Sequence, residues 1–213
     1  MPSAAEMSRW SLSSNVTVLY SVTARPSASK PEPMLALVAG TETLIFIAWM
    51  KRGEDGSVAA GVEPCLVPKV NQLAGVDDVF NAVLVKGDML GDVVFYGKGA
   101  GKLPTASAVV ADVVDALKNG SKVHDSLFWQ PAEPVEGMLT DPAPAAYYVR
   151  VEGIAPAVAE AIYGKGHVVD EHFDGCAYFV DSADGKALAE AARKVEAVGG
   201  SVKLVLRRLP EEV

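Results

Sequence analysis

The segment Phe95-Tyr96-Gly97-Lys98-Gly99-Ala100-Gly101-Lys102-Leu103-Pro104-Thr105-Ala106-Ser107 constrains this chain most, because three alternating glycines join a β-rich run to a helical one. Glycine has no Cβ and tolerates positive φ. A GxGxG bend therefore leaves main-chain N–H groups open to close approach at the positive end of the following helix. That helix is well marked: Pro104 suits a first helical position, and Ala106, Val109, Val110, Val113 and Leu117 recur at helical spacing. Lys118 and Asn119-Gly120 then supply a last-turn cation and a stop.

Two nucleotide-loop readings fail on spacing. A dinucleotide fingerprint needs GxGxxG opening a βαβ unit with an acid about twenty residues on, whereas here GxGxG leads into a helix and then a Pro-rich loop. A P-loop needs glycine where Tyr96 stands and Ser or Thr where Leu103 stands. On the motif alone, a bend shaped for a ligand and a glycine turn packed between strand and helix both remain open.

Upstream, Leu44–Met50 is a continuous apolar run, and Lys51-Arg52-Gly53-Glu54-Asp55-Gly56 is a polar turn leading to Val58–Val67. This predicts a hairpin with at least one buried strand. Val79–Val85 and Met89–Tyr96 form a second pair about Gly87-Asp88, which predicts an antiparallel or mixed sheet with the Pro104–Lys118 helix packed beside it. Phe80, Leu84 and Phe95 are expected near a core or an interface. Residues 1–40 are rich in Ser, Ala and Pro and show no βαβ pattern, so they read as a poorly structured leader.

Four prolines, Pro131, Pro134, Pro142 and Pro144, mark residues 131–145 as a linker between a unit at 41–130 and one at 146–213. In the last unit Tyr147, Val149 and Val151 alternate as a strand, and Pro156–Tyr163 reads as a helix ending at Gly164. His167–Phe173 meets Cys176–Val180 across Asp174-Gly175. A second helix runs from about Asp184 to Val198 with Glu190 and Lys194 four residues apart, and Val202–Leu209 closes the unit. The fold class is therefore α+β: a mostly antiparallel or mixed sheet with a packed helix, followed by a ferredoxin-like βαββαβ unit.

A formal charge of −8 argues against a nucleic-acid or anionic-membrane surface. No run approaches the eighteen apolar residues or so that span a bilayer, and cytoplasm is the expected location. Cys65 and Cys176 show no metal spacing and read as buried free thiols. His167 and His172 are five apart on a predicted strand, so they point to opposite faces and share no metal. His124 sits in a polar loop, and no metal site is expected.

Four motifs in register carry a resemblance. Glu63-Pro64-Cys65-Leu66-Val67-Pro68-Lys69, Asp78-Val79-Phe80-Asn81-Ala82-Val83, Lys86-Gly87-Asp88, and Phe95–Gly101 followed by Pro104-Thr105-Ala106-Ser107 stand in the order of the C-terminal part of homoserine dehydrogenase, which this stretch resembles from Leu44 to Asp115. The resemblance implies an oxidoreductase that moves hydride between homoserine and aspartate 4-semialdehyde with NADP or NAD. It also implies a small-molecule substrate, and a chain that runs from a Rossmann domain through a substrate and dimerisation sheet and back again.

On that reading Gly97-x-Gly99-x-Gly101 and the helix after it are the return segment. Gly99, Gly101, Pro104 and Thr105 are the candidate cofactor-binding residues, and the expected partner is a second copy or a complete subunit. The family's N-terminal dinucleotide fingerprint, its catalytic lysine and its substrate carboxylates are not found in the sequence, so no catalytic residue is assigned. Lys69 matches a family motif but is not the proton-transfer lysine. An incomplete chain is expected, with a non-catalytic dimerisation or regulatory fragment as the alternative.

The terminal βαββαβ unit resembles the ACT domain that often ends this family. Gly153-Ile154-Ala155-Pro156-Ala157 stands where amino-acid-binding ACT domains carry an acid–x–Pro–Gly turn, which favours a degenerate packing or dimerisation module.

Overall fold

A computed structural model describes residues 17–22, 41–53, 57–87, 89, 91–120, 144–170 and 174–211. The predicted 131–145 linker lies almost wholly outside them, as do His124 and His172. Nine strands among the described residues form one sheet: β1 (Thr17–Val22), β2 (Glu42–Arg52), β3 (Val58–Pro68), β4 (Phe80–Gly87), β5 (Gly91–Lys98), β6 (Ala145–Glu152), β7 (Gly166–Asp170), β8 (Gly175–Ala183) and β9 (Ser201–Arg208). Their spatial order is β5-β4-β1-β2-β3-β9-β6-β8-β7. Three α-helices among the described residues accompany them: α1 (Lys102–Asn119), α2 (Pro156–Tyr163) and α3 (Gly185–Ala197).

Both predicted hairpins are present. β2 and β3 pair antiparallel over their full length, and β4 pairs antiparallel with β5. β1 corrects the expectation for residues 1–40: it lies in the middle of the sheet, antiparallel to both β2 and β4. The reason is local composition, since Thr17-Val18-Leu19-Tyr20-Ser21-Val22 is the one β-branched and aromatic run in a stretch otherwise rich in Ser and Pro.

Cross-strand register sorts the side chains sharply. Flanking β1, one face carries Pro64 and Phe46 in line with Asn81 and Gly97, Val62 and Ala48 in line with Val83 and Phe95, and Ala60 and Met50 in line with Val85 and Val93; these rows hold no charged residue, and Glu42, paired with Pro68, stands at the end of the same face. The other carries Ile47, Trp49, Ala82 and Leu84, together with Glu63, Lys51, Lys86 and Asp92. A core of Ile45, Ile47, Trp49, Cys65, Val67, Leu73, Ala82 and Leu84 forms on this second face. Leu84 is fully buried and Phe80 packs against the core, as expected, but Phe95 is 64% exposed on the face opposite that core.

Strand order β9-β6-β8-β7 with α2 and α3 between strands is the ferredoxin-like arrangement read from the sequence. Val149, Val151, Cys176, Tyr178 and Val180 pack beneath Ala159 and Val195 of the two helices. Asp184 caps α3 by accepting a 2.7 Å hydrogen bond from the Ala187 N–H. Gly164, at φ +79°, ends α2. The two units are not separate bodies, however, because β9 pairs parallel with β3 through Cys65/Arg207 and Leu66/Arg208, making the sheet continuous.

Candidate functional site

β5 ends at Lys98, and the main chain crosses Gly99, Ala100 and Gly101 into α1 at Lys102. The helix thus starts two residues before Pro104, which fits the first turn because N–H groups there have no partner within the helix. Thr105 N–H donates to Gly101 O at 3.1 Å, and Ala100 N–H donates to Val79 O at 3.4 Å, fastening the bend to the start of β4. Phe80 and Tyr96 stack beneath it with ring centroids 4.9 Å apart, and Lys98 Nζ lies 5.7 Å from the centre of the Phe80 ring.

All five residues from Gly97 to Gly101 are exposed, as are Leu103 and Thr105, while Pro104 is half-buried. Two of the three glycines have a physical reason. A side chain at Gly99 would collide with the Asn81 amide, and Gly101 sits at φ +113°, a backbone conformation costly to any residue with a Cβ. Gly97 has neither constraint, since nothing lies within 4 Å of where its Cβ would stand. The absence of a side chain at 97 has no explanation within the described residues.

α1 buries none of its residues, so among the described residues it is not packed beside the sheet as the sequence predicts. Leu103, Val109, Val110, Val113 and Leu117 are all more than half exposed. Leu103, Ala106, Val110, Val113 and Leu117 recur at alternating spacings of three and four, the pattern of a helix face that packs on another element. Burying that stripe would contribute on the order of several kcal/mol. Gly120, at φ +53°, stops the helix with its N–H on Ala116 O.

No group of three His, Cys, Asp or Glu side chains that could hold a metal occurs among the described residues. No described helix is long and apolar enough to cross a membrane. Cys65 and Cys176 are buried free thiols, and burial pushes the Cys65 thiol up to about 12. His167 packs against Phe179, with ring centroids 5.3 Å apart. In the βαββαβ unit, a side chain at Gly153 would press on Gly199 O at 3.3 Å, and the adjoining Ile154 is buried. The first-strand turn is therefore filled by the chain's own Gly199-Gly200 segment.

Sequence reading missed Asn81 and the group Trp49, Glu63 and Arg207. Asn81 lies inside the Asp78–Val83 motif, but only the folded structure shows its side-chain amide against Gly99. Glu63 Oε1 accepts from Trp49 Nε1 at 2.8 Å and from Arg207 Nη1 at 3.2 Å, and the Arg207 guanidinium lies 4.4 Å from the Trp49 ring centre.

Residues 15–114 match the family profile described as homoserine dehydrogenase. The chain is similar to curated homoserine dehydrogenases of Neisseria gonorrhoeae, 44% identical over 97 residues, and of Synechocystis, 52% identical over 75 residues. These alignments cover 43% and 35% of this chain but only 22% and 17% of those proteins. Among solved structures, a homoserine dehydrogenase from Thiobacillus denitrificans superposes with a TM-score of 0.67 at 27% identity, covering 83% of this chain and 44% of that one. The chain thus spans less than half the length of these relatives.

Proposed function

We propose, from the premise that the chain belongs to the homoserine dehydrogenase family over residues 15–114, that it supplies the sheet and return helix of an NAD(P)-dependent interconversion of homoserine and aspartate 4-semialdehyde. The observation that carries this reading is an exposed bare-backbone bend opening an apolar helix that buries nothing. A surface of that kind is complete only when another polypeptide region lies on it.

The bend fits one side of a nicotinamide cofactor. Gly99, Gly101, Pro104 and Thr105 present uncluttered backbone at a helix N-terminus, where partial positive charge favours an electron-rich group. Gly97 leaves open space beside them. When bound, the cofactor supplies the acceptor or donor of hydride at the substrate carbon. This chain's own contribution is shape and fixed position: the Ala100–Val79 hydrogen bond, the Asn81–Gly99 contact and the Phe80–Tyr96 stack hold the bend still. Orientation of that quality is a large part of what any hydride-transfer site needs.

The three uncharged rows on one face of the β1–β5 sheet support association with a second copy or with a complete subunit, since Phe46, Met50, Val62 and Phe95 are exposed there. Cytoplasm, with its pools of NAD and NADP, suits the reading. The terminal ferredoxin-like unit is proposed as a degenerate ACT-like packing module. Its first-strand turn, filled by Gly199-Gly200, disfavours an amino-acid effector there.

A second reading has its own support. The chain aligns with only 22% and 17% of two of its curated relatives, which favours a non-catalytic dimerisation or regulatory fragment. Incubating the purified chain with homoserine and NAD or NADP, while following reduced-nicotinamide absorbance, separates the two. Homoserine-dependent reduction supports the enzyme, and its absence at high protein concentration supports the fragment.

A further inference from the structure

Four consecutive residues at the end of β9 each engage the other half of the chain. Arg207 reaches Glu63 and covers Trp49. Arg208 holds Glu42 Oε1 with Nε at 2.9 Å and Nη2 at 2.8 Å. Leu209 donates its N–H to Leu66 O at 2.9 Å and is buried in the core with Ile45, Ile47 and Leu73. Pro210 O accepts from Asn71 Nδ2 at 3.1 Å, while Asn71 Oδ1 caps the 3-10 turn Gln72–Gly75 by accepting from Leu73 N–H at 3.0 Å.

Because successive side chains on a strand point to opposite faces, Arg207 and Arg208 grip the sheet from its two sides. Glu63 shares a face with Ile47, whereas Glu42, paired with Pro68, is on the other face with Leu44. Trp49 can receive Arg207 because its paired residue is Gly61, where a Cβ would come within 2.9 Å of the indole. Apolar contacts complete the joint: Leu66 of β3 is buried with Tyr148, Ala177 and Leu206 of the βαββαβ unit.

We infer that Arg207–Pro210 is a strap that makes the family sheet and the βαββαβ unit unfold as one cooperative body, so the terminal unit is not an independently stable appendage. The inference does not depend on catalysis by this chain.

Two native thiols report on it. Cys65 lies in the first half and Cys176 in the second, and both are fully buried. The full chain is pulsed with an alkylating reagent across a urea series, and each cysteine's modification is read by peptide mass spectrometry. The wild type is expected to expose both at one midpoint. In Arg207→Ala/Arg208→Ala the two midpoints separate, and without urea the protection of at least one cysteine falls roughly tenfold. Separate midpoints in the wild type overturn the inference, as does a double variant whose midpoints still coincide at the wild-type value. If that variant does not fold, Glu63→Gln decides: loss of Cys65 protection supports the strap, and unchanged protection of both cysteines overturns it.

Discussion

The Asn81 side-chain amide occupies the space that a side chain on Gly99 would need, so strand β4 and the glycine bend fit together only because residue 99 is bare. The three glycines should therefore respond differently to substitution. Gly99→Ala must displace Asn81 and is expected to lower stability by about 1–2 kcal/mol. Gly101→Ala, forced to φ +113°, is expected to cost about 1–2 kcal/mol as well. Gly97→Ala meets open space and should stay within about 0.5 kcal/mol of the wild type. Urea unfolding of the three variants checks the order, and a Gly97 variant as unstable as the Gly99 one would contradict the packing described.

Glu42 makes stability depend on pH in a defined direction. Burial raises its pKa above the ordinary 4.5, and the Arg208 hydrogen bond and charge only partly offset this. Between 4.5 and the higher native value, the folded chain holds a proton that the unfolded chain has released. Stability therefore falls as pH rises through that window. Its Oε2, buried with no hydrogen-bond donor among the described residues, points the same way. Urea midpoints of the wild type and Glu42→Gln, measured from about pH 4 to 7, should show this downward contribution only in the wild type. A difference between the two that is flat with pH would contradict it.

The apolar rows around Val62 and Phe95 should tolerate charge as a monomer and fail as an interface. Val62 is 76% exposed and Phe95 64%, so Val62→Asp and Phe95→Asp are expected to leave the urea midpoint almost unchanged. In sedimentation velocity the wild type should run as a dimer at micromolar concentration and both variants as monomers. A wild type that stays monomeric would remove the sheet face as the dimer surface.

Most of the local architecture was legible in the sequence. Alternating and continuous apolar runs marked both hairpins, Pro and Gly bracketed the helices, and Asp174-Gly175 marked the turn before β8. Local periodicity cannot report a contact between residues far apart in the chain. That is why the β3–β9 join, the Arg207–Glu63 contact and the Asn81–Gly99 fit went unseen. β1 was missed because six strand-forming residues stood inside a Ser- and Pro-rich stretch whose composition outweighed them. Around the candidate bend the glycine turn and a following helix were legible, but the helix begins at Lys102 rather than Pro104, and its lack of any buried residue emerged only in three dimensions.

The most direct test of the proposed function is a graft. The segment of the Neisseria gonorrhoeae homoserine dehydrogenase that aligns with this chain is replaced by the corresponding residues of this chain, and homoserine-dependent NAD(P) reduction is measured beside a Val113→Asp version of the same graft. The expected result is turnover in the graft and its loss in the Val113 variant, with both proteins folded by circular dichroism. A folded graft that binds NAD(P) but does not oxidise homoserine, or a Val113 variant as active as its parent, would contradict the assignment of the bend and α1 to the cofactor side of a dehydrogenase.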